Sequence, residues 1–352
     1  MTSAFQIGRR HIGSASPVYC IAEVSANHNH DFDQAVRIVE AAHDAGADAV
    51  KLQTYTADTI TVRSDRPEFR VGGGTLWDGR TLYDLYGEAY TPWEWQPKLM
   101  RIANDLGMDL FSSAFDATAV DFLEEMKVPA HKVASFELVD IPLIQKMART
   151  GKPLIMSTGM ATVEEIEEAV QAARQAGATQ IALLKCSSAY PAPPAEMNLC
   201  TIPDLARRFN MPVGLSDHTM GIAVPAAAVA VGARIIEKHL TLSRSVPGPD
   251  SAFSLEPAEF KQMVEAVRVI EQALGAVHYG LSGKDEASRV FRRSLFVVED
   301  VKAGERFTEA NVRSIRPGHG LHTRHLPEIL EKRAARDIAR GTPLSWELVV
   351  GS

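Results

Sequence analysis

The chain has 352 residues, of which 45% are hydrophobic and 23% are charged, and its formal net charge at pH 7 is −7. This composition is typical of a water-soluble globular protein that is long enough for one large domain and one small domain. A negative net charge without a basic stripe argues against nucleic acid or an acidic membrane surface as a partner.

The N-terminal stretch MTSAFQIGRRHIGSASP has two arginines but no apolar region behind them, so it is unlike a signal peptide. Farther along, the weakly polar run at 221–236 is interrupted by Pro225 and is shorter than the about 20 apolar residues that span a bilayer. The three cysteines, Cys20, Cys186 and Cys200, lack metal-ligand spacing, and their odd number does not suit a disulfide framework. We therefore expect a cytoplasmic protein with no membrane partner.

Eight apolar runs along the chain each end in charged or polar residues, and we predict that they are buried strands. They are VYCIAE (18–23), ADAVKLQT (47–54), MDLFSS (108–113), HKVAS (131–135), KPLIMST (152–158), QIALLKC (180–186), MPVGLSDH (211–218) and ARIIEKH (233–239). Segments of helical period separate them. The clearest are 31–46, 162–177 and 256–275, and shorter ones fit 92–107, 116–127, 141–150, 201–209 and 222–232.

Strand–helix alternation repeated eight times predicts an α/β fold, specifically a (β/α)8 TIM barrel. An open doubly wound sheet is the competing architecture, and it is disfavoured because no G-x-G-x-x-G follows the first strand. In a barrel of this kind the active site lies at the carboxyl ends of the strands.

Residues 55–91 interrupt the alternation, because this segment is too long for a simple βα loop. Together with the WEW that follows at 93–95, it holds three of the four tryptophans and four of the seven tyrosines. A long aromatic loop at the mouth of a barrel favours a role in substrate specificity or as a lid. A packed flap without ligand contact is the alternative.

The barrel domain is predicted to cover 1–282, followed by a linker at 283–290 and a second domain at 291–352. The second domain contains an internal repeat, since 297–312 and 334–349 share the pattern Asp–apolar–x–x–Gly–x–x–Phe/Leu. Two such units of short strand and turn predict a small, pseudo-symmetric β-rich domain, which alone could bury little core.

Four of the predicted strands carry a lysine near the carboxyl end, namely Lys51, Lys132, Lys185 and Lys238. Lysines on several strands of one barrel predict a pocket for a small, strongly anionic ligand, with Lys51 and Lys132 as the main candidates. Short hydroxyl donors occur at comparable positions, at Ser113, Ser135, Ser157 and Ser216. A snorkelling side chain is the alternative for any one lysine, and a Schiff-base aldolase is a rival interpretation of the set.

His218 and His239 end the seventh and eighth predicted strands. Neighbouring strands of a barrel lie about 4.8 Å apart, so we expect the two imidazoles to share a divalent metal ion that acts as a Lewis acid on a carbonyl. Hydrogen-bonded core histidines are the alternative. Glu23, Glu137 and Gln53 are candidates for orienting a sugar hydroxyl, positioning a water or moving a proton.

In their order along the chain, these residues resemble the sialic acid synthase family, whose members join phosphoenolpyruvate to an N-acetylated sugar. The strings that carry the resemblance span nearly the whole chain: IAEVSANHNHDFDQA, DAVKLQT, HKVASFE, STGM, CSSAYPAP, GLSDHT, IEKHLT, GPDS and SIRPGHG. The C-terminal part resembles the antifreeze-like (SAF) domain that follows the barrel in this family.

Within the family, the insertion GTLWDGRTLYDLYGEAYTPWEW resembles that of members that make pseudaminic acid. This resemblance implies 2,4-diacetamido-2,4,6-trideoxy-L-altrose as the acceptor sugar. N-acetylmannosamine and the precursor of legionaminic acid are the alternative acceptors. A remote alternative for the function as a whole is a non-catalytic carbohydrate-binding protein.

The resemblance also implies individual roles. Phosphoenolpyruvate contacts are expected from Lys51, Ser113, Lys132, Ser135, Ser157, Ser188 and Ser216. Contacts with the acceptor are expected from Gln53, Glu137, Tyr190, Asp250 and Arg316, and catalytic roles from Glu23, Lys51, Lys132 and Glu137. His218 and His239 would hold Mn²⁺ or Mg²⁺ as the cofactor. Arg316 would reach from the SAF domain into the partner subunit's site in a domain-swapped homodimer.

Two positions depart from the family pattern. Ser188-Ala189-Tyr190-Pro191 stands where N-acetylneuraminate synthases have Asn-x-Tyr-Pro, which fits a different acceptor or a shifted phosphate contact. His30 replaces the usual glycine of an NHNG string, and the sequence offers no physical reason for this change.

Overall fold

The computed structural model describes residues 4–74 and 76–351. A short antiparallel hairpin comes first, formed by β1 (Phe5–Ile7) and β2 (Arg10–Ile12). Eight parallel strands then close into a barrel in chain order, with the last strand beside the first. They are β3 (Tyr19–Glu23), β4 (Ala49–Thr54), β5 (Asp109–Ala114), β6 (His131–Val133), β7 (Leu154–Ser157), β8 (Ile181–Cys186), β9 (Val213–Asp217) and β10 (Ile235–His239). The predicted TIM barrel is confirmed.

Helices follow the barrel strands. They are α1 (Phe32–Asp44), α2 (Ala57–Ile60), α3 (Leu82–Ala89), α4 (Gln96–Asp105), α5 (Ala117–Glu125), α6 (Ile141–Arg149), α7 (Val163–Gln175), α8 (Thr201–Phe209), α9 (Ala223–Ala230) and α10 (Pro257–Leu274). A capping box begins α7, because Thr162 and Glu165 satisfy each other's backbone N–H groups. Gly46 and Gly177 follow α1 and α7 with φ of 84° and 108°, a conformation that favours glycine.

The insertion after β4 has secondary structure of its own. It contains α2, a 3-10 turn at Pro67–Phe69 and α3. The Tyr55 ring packs edge-on against the Tyr86 ring at 5.6 Å and the Phe115 ring at 5.1 Å between centroids. These contacts hold the base of the insertion against the loop that follows β5.

The chain separates into two compact units, 1–275 and 276–352. The second unit contains α11 (Gly283–Ser288), β11 (Ser294–Val297), β12 (Val312–Ile315) and α12 (Leu326–Ile329), with β11 and β12 antiparallel. The segment predicted as a linker, 283–290, therefore carries a short helix, and the domain boundaries themselves stay predictions.

The internal repeat has a structural counterpart in the second unit. Val301 and Ile338, which occupy equivalent positions of the two repeats, form an antiparallel bridge. The equivalent Phe307 and Leu344 are both buried in the core of this unit. The small β-rich domain is thus confirmed. Throughout the described residues, no helix has the length and hydropathy required to cross a membrane.

Candidate active site

Strand register decides which polar side chains enter the barrel. Glu23 pairs with Lys51, Gln53 with Ser113, and Ser113 with Lys132 on successive parallel strands. Paired residues of neighbouring strands point to the same face, and residues two apart on one strand share that face. All five side chains therefore belong to the interior face.

The two interior lysines share a buried carboxylate. Lys51 Nζ forms an ion pair with Glu23, lies 3.6 Å from Glu237 Oε1 and donates to Ser113 Oγ at 3.1 Å. Lys132 Nζ lies 3.9 Å from the same Glu237 oxygen. Both lysines and both glutamates are buried. Two cations are thus held in the barrel without solvent, which makes them strong anion-binding groups.

Glu237 is a functional candidate that the sequence analysis missed. It accepts a hydrogen bond from Ser216 Oγ at 3.2 Å and lies between the two lysines. Its position two residues before His239 on β10 was the available signal, because side chains two apart on a strand face the same way.

The two glutamates differ in their preferred charge. Burial raises the pKa of Glu23 to about 7, although Lys51 acts in the opposite direction. Burial also acts to raise the pKa of Glu237, but Lys132 and Lys51 outweigh it and hold that pKa below its ordinary value. We therefore assign the permanent negative charge of the cluster to Glu237 and the exchangeable proton to Glu23.

The pKa values of the two inward lysines are also shifted in opposite directions. Burial acts to lower the pKa of Lys51, but Glu23 and Glu237 outweigh it and raise that pKa. For Lys132, burial dominates and lowers the pKa despite the attraction of Glu237. Lys132 is accordingly the lysine that would gain most from a second anion in the barrel.

The prediction that four lysines point into one pocket is wrong for two of them. Lys238 pairs in register with Asp217, forms a buried ion pair with it and donates to Thr219 O on the outer face of the strands. Lys185 adjoins the inward Cys186, and its Nζ donates to the Cys186 backbone oxygen at 2.9 Å. Alternation along each strand sends these two side chains away from the interior.

His218 and His239 come together at the carboxyl ends of β9 and β10, with their ring centroids 5.3 Å apart. His218 Nδ1 lies 2.7 Å from the Ser187 backbone oxygen, so this nitrogen is placed to donate. Burial acts to lower the pKa of His218, but Cys186 and the Ser187 oxygen outweigh it and raise that pKa, so a metal ion would have to displace a proton from Nε2. Burial, with His218, Lys51 and Lys238 nearby, lowers the pKa of His239 well below its ordinary value, so this imidazole is neutral.

The pair fits a metal ion that takes its remaining ligands from water and substrate. His239 Nδ1 is buried and has no hydrogen-bond partner among residues 4–74 and 76–351. A neutral imidazole with an unused nitrogen is the form that binds metals. Within the same ranges, no group of three or more His, Cys, Asp and Glu side chains could enclose a metal ion. A site with two protein ligands leaves positions open for substrate oxygens.

The predicted phosphoenolpyruvate serines lie in two places. Ser113 and Ser157 accept hydrogen bonds from Lys51 and Lys132, at 3.1 Å and 2.7 Å. Ser135 Oγ accepts from Gly159 N at 3.1 Å. The Ser188 Oγ atom is buried and has no hydrogen-bond partner in the described part of the chain.

Gly159 brings the last two serines together. A Cβ atom added to Gly159 would collide with the hydroxyl groups of Ser188 and Ser135. The absence of a side chain therefore leaves a space rimmed by two hydroxyls and a backbone N–H. Such a cradle suits phosphate oxygens.

Four of the five predicted acceptor residues belong to the barrel unit. Gln53 Nε2 donates to Ser25 Oγ at 2.9 Å, and Ser25 Oγ donates to Asp250. The Tyr190 ring lies 4.4 Å from the His218 ring. Burial raises the pKa of Glu137 to about 7, and its Oε2 is buried without a hydrogen-bond partner in the ranges that the structure describes. Arg316 follows β12 in the second unit, where it is exposed, and its role stays a prediction.

His30 has a structural reason that the sequence did not reveal. Its backbone φ is 54°, in the left-handed region that favours glycine. Its ring packs edge-on against Tyr90 at 4.9 Å and lies 6.5 Å from Trp95, at the end of the insertion. The side chain thus packs the insertion against the loop after β3, although its backbone conformation is less favourable than that of a glycine would be.

Comparison with known proteins gives one consistent result. Residues 38–279 match the model of the NeuB family, and residues 292–350 match that of the SAF domain. The chain is 45% identical over 327 residues to a pseudaminic acid synthase of Campylobacter jejuni, covering 93% of this chain and 95% of the relative. It is 44% identical over 330 residues to the Helicobacter pylori pseudaminic acid synthase, covering 94% and 97%.

Among solved structures, the chain resembles the N-acetylneuraminic acid (sialic acid) synthetase of Leptospira borgpetersenii in complex with citrate. The TM-score is 0.73 and the identity 30%, over 82% of this chain and 95% of that one.

Proposed function

We propose that this chain, which belongs to the NeuB family, acts as a pseudaminic acid synthase. The reaction condenses phosphoenolpyruvate with the open-chain form of 2,4-diacetamido-2,4,6-trideoxy-L-altrose and releases phosphate. Near full-length similarity to two pseudaminic acid synthases supports the choice of acceptor. The observation that carries the chemistry is the buried pair of Lys51 and Lys132 on either side of Glu237, next to two histidines.

Lys51 and Lys132 are the proposed anion-binding groups for the phosphate and carboxylate of phosphoenolpyruvate. Ser113 and Ser157 already bond to these lysines, and Ser216 bonds to Glu237. The hydroxyls of Ser135 and Ser188 offer donors for the remaining phosphate oxygens, and Gly159 N holds the Ser135 hydroxyl in place. Fixed cations and donors of this kind stabilise charge without reorganising during the reaction.

His218 and His239 are the proposed ligands of a divalent ion, Mn²⁺ or Mg²⁺, which when bound would polarise the aldehyde oxygen of the acceptor. The two rings are adjacent, and His239 retains an unused buried nitrogen. Ser187 O fixes the His218 ring through Nδ1, which leaves Nε2 as the nitrogen that would bind the ion.

The condensation then proceeds through the residues of the chain itself. The C3 carbon of phosphoenolpyruvate forms a bond with the aldehyde carbon, and positive charge develops at C2 of the enol. Water adds at C2, and Glu23, whose pKa burial raises to about 7, takes a proton from it. That proton is passed on to the former aldehyde oxygen, which becomes a hydroxyl. The new C2 hydroxyl then loses its own proton to the phosphate as the C2=O bond forms and the C2–O bond to phosphate breaks. Lys51 and Lys132 hold the departing phosphate.

The acceptor is oriented by groups from four different loops and strands. Gln53 and Asp250 are joined through Ser25, so their positions are coupled. Tyr190 packs beside His218 and supplies an apolar surface near the aldehyde. Glu137 offers a carboxyl oxygen that makes no hydrogen bond within the described chain and is available for a sugar hydroxyl or amide.

The quaternary and cellular context is also a proposal. Arg316 lies on the SAF domain, and we propose that it completes the partner subunit's site in a domain-swapped homodimer. All three cysteines are free thiols, which supports a reducing compartment, the cytoplasm.

Phosphate release from phosphoenolpyruvate tests the proposal. The assay contains Mn²⁺ and one of three acceptors: the diacetamido-trideoxy-altrose, N-acetylmannosamine or the legionaminic acid precursor, each with and without a chelator. We expect chelator-sensitive release with the first sugar only. With ¹⁸O in the C–O–P bridge, the label should appear in phosphate. Release with N-acetylmannosamine alone would refute the acceptor, and label retained in the sugar product would refute C–O cleavage.

A variant tests the metal ligands separately. His218→Ala should lose bound Mn²⁺, measured by elemental analysis after dialysis, and should lose phosphate release while retaining its unfolding midpoint. His43→Ala alters a half-exposed histidine on α1 and is the matched control. Full metal content and activity in His218→Ala would show that this imidazole is not a ligand.

A further inference from the structure

Trp77 lies in a hairpin-like excursion of the insertion. Val71 N donates to Arg80 O at 2.9 Å, and Gly79 N donates to Val71 O at 2.8 Å. The neighbouring Leu76 is 53% exposed, whereas Trp77 is partly buried. The indole therefore turns back from an otherwise exposed tip toward the rest of the barrel unit.

The indole joins two segments that carry predicted acceptor residues. Trp77 Nε1 donates to the backbone oxygen of Pro249 at 3.1 Å, directly before Asp250 in the chain. The Trp77 ring lies 5.7 Å from the Tyr190 ring, centroid to centroid. One side chain from the insertion thus contacts both the loop after β10 and the loop after β8.

A continuous aromatic wall leads from Trp77 to the histidine pair. The Tyr190 ring lies 4.4 Å from His218 and 5.1 Å from Phe253, and Phe253 lies 5.0 Å from His239. In the proposed reaction the aldehyde end of the acceptor is at the histidines. The rest of the open-chain sugar would then extend along this wall, with Trp77 at its far end.

The chemistry of the far end distinguishes the candidate acceptors. The diacetamido-trideoxy-altrose carries an acetamido group at C4 and a methyl group at C6, where N-acetylmannosamine carries hydroxyls. An indole whose N–H is already bonded to Pro249 O offers an apolar ring face. Methyl groups gain from burial against such a face, whereas hydroxyls buried there would lose hydrogen bonds to water.

From these contacts, and resting on the function proposed above, we infer that Trp77 is a specificity-determining residue for the acceptor. It contacts the C4 acetamido and C6 methyl groups and favours sugars that are apolar at that end. Phosphoenolpyruvate binding does not involve it.

A purely structural role, as an anchor for the insertion, is the competing explanation, and Trp93 provides the matched control. Trp93 Nε1 also donates to a backbone oxygen, that of Tyr55 at 3.1 Å, and its ring packs on Phe122 of α5 at 4.8 Å. Trp93→Phe and Trp77→Phe therefore make the same chemical change in similar surroundings, but only Trp77 adjoins Tyr190.

Steady-state kinetics of wild type, Trp77→Ala, Trp77→Phe and Trp93→Phe provide the first test. In Trp77→Ala the KM for the diacetamido sugar should rise on the order of tenfold to a hundredfold, with kcat and the KM for phosphoenolpyruvate changed much less. The kcat/KM preference over N-acetylmannosamine should fall by a similar factor, and Trp93→Phe should retain it. Equal losses with both sugars, or a rise in both substrates' KM values, would overturn the inference.

Fluorescence gives a readout that does not require turnover. The alditol of the acceptor lacks the aldehyde and cannot react. Its binding should change the tryptophan emission of wild type and Trp93→Phe but not that of Trp77→Phe. If the emission of Trp77→Phe changed as much as that of wild type, the inference would also be overturned.

The two proposals can fail separately. The wild-type acceptor profile tests the proposed function, and its change on replacing Trp77 tests the role of this residue. If wild type uses only N-acetylmannosamine, the acceptor assignment is refuted. A raised KM for that sugar in Trp77→Ala would still support contact, and an unchanged KM would refute it.

Discussion

The two halves of the candidate site are built in different ways. The groups proposed for phosphoenolpyruvate lie largely on regular strands, where Glu237 forms ion pairs with both Lys51 and Lys132 inside the barrel. The groups proposed for the acceptor come mostly from loops, such as Tyr190 after β8 and Trp77 in the insertion. The strand-built half fixes charge and the loop-built half fixes shape, so acceptor choice can change without disturbing the anion site.

The strongest way to break this comparison is to remove an inward lysine and an outward one. Lys132→Met should lower kcat/KM for phosphoenolpyruvate by roughly 10²–10³-fold or more, because it removes a preorganised buried cation. Lys185→Met changes a half-buried lysine on the outer face of β8 and should stay within about twofold. Both are measured by phosphate release, with the unfolding midpoint as a check on folding. Similar losses in the two variants would contradict the division into inner and outer faces.

The outward ion pair should affect stability rather than substrate affinity. Lys238→Met leaves the fully buried Asp217 without its cation, and breaking such a pair typically costs about 3–5 kcal/mol. Urea unfolding should show this loss, while the KM for phosphoenolpyruvate of the folded fraction stays near that of wild type. Adding Asp217→Asn should recover part of the stability, because the unpaired charge is gone and the amide oxygen can still accept from Thr219 N. A double variant less stable than Lys238→Met would contradict this explanation.

The strand-built half of the site could be predicted from the sequence better than the loop-built half. Eight apolar runs and the helical periods between them were enough for the barrel, because local periodicity defines both kinds of element. Lys51 and Lys132 were identified correctly as inward, but Lys238 was not, although its neighbour His239 was assigned to the interior. Alternation along the strand excludes both pointing the same way, and it would also have revealed Glu237.

The loop-built half could not be derived in this manner. Trp77 meets Pro249 across 172 positions of the chain, and no periodicity links them. Asp250 and Tyr190 were named only through the family resemblance. For His30, only the structure shows the unfavourable backbone φ of 54° and the ring contact with Tyr90.

A pH profile sharpens the comparison on the acceptor side. Burial raises the pKa of Glu137 from 4.5 to about 7, so its carboxyl is mostly neutral at pH 6 and ionised at pH 8. The ionised form accepts hydrogen bonds from the sugar, and the KM for the acceptor should therefore rise as the pH falls below 7, approaching tenfold per pH unit. In Glu137→Gln this dependence should disappear. A profile unchanged by the substitution would assign the titration to another group.

The same shift has a consequence for stability, with a defined sign. A carboxyl with a raised pKa favours folding in its neutral form, so its contribution is complete below pH about 4.5 and is lost as the pH rises through about 7. Urea unfolding of Glu137→Gln should therefore depend less on pH between these values than that of wild type.

The smallest expected effect tests whether the loop-built half tolerates exchange of its supporting contacts. At His30, glycine would relieve the left-handed backbone but lose the ring contact with Tyr90; each is worth about 1 kcal/mol, so His30→Gly should change the free energy of unfolding little. His30→Ala loses the ring and keeps the backbone cost, and should be less stable than His30→Gly by about 1 kcal/mol. Urea unfolding of the two variants gives the order. If His30→Ala proved more stable than His30→Gly, the positive φ would not limit stability at this position.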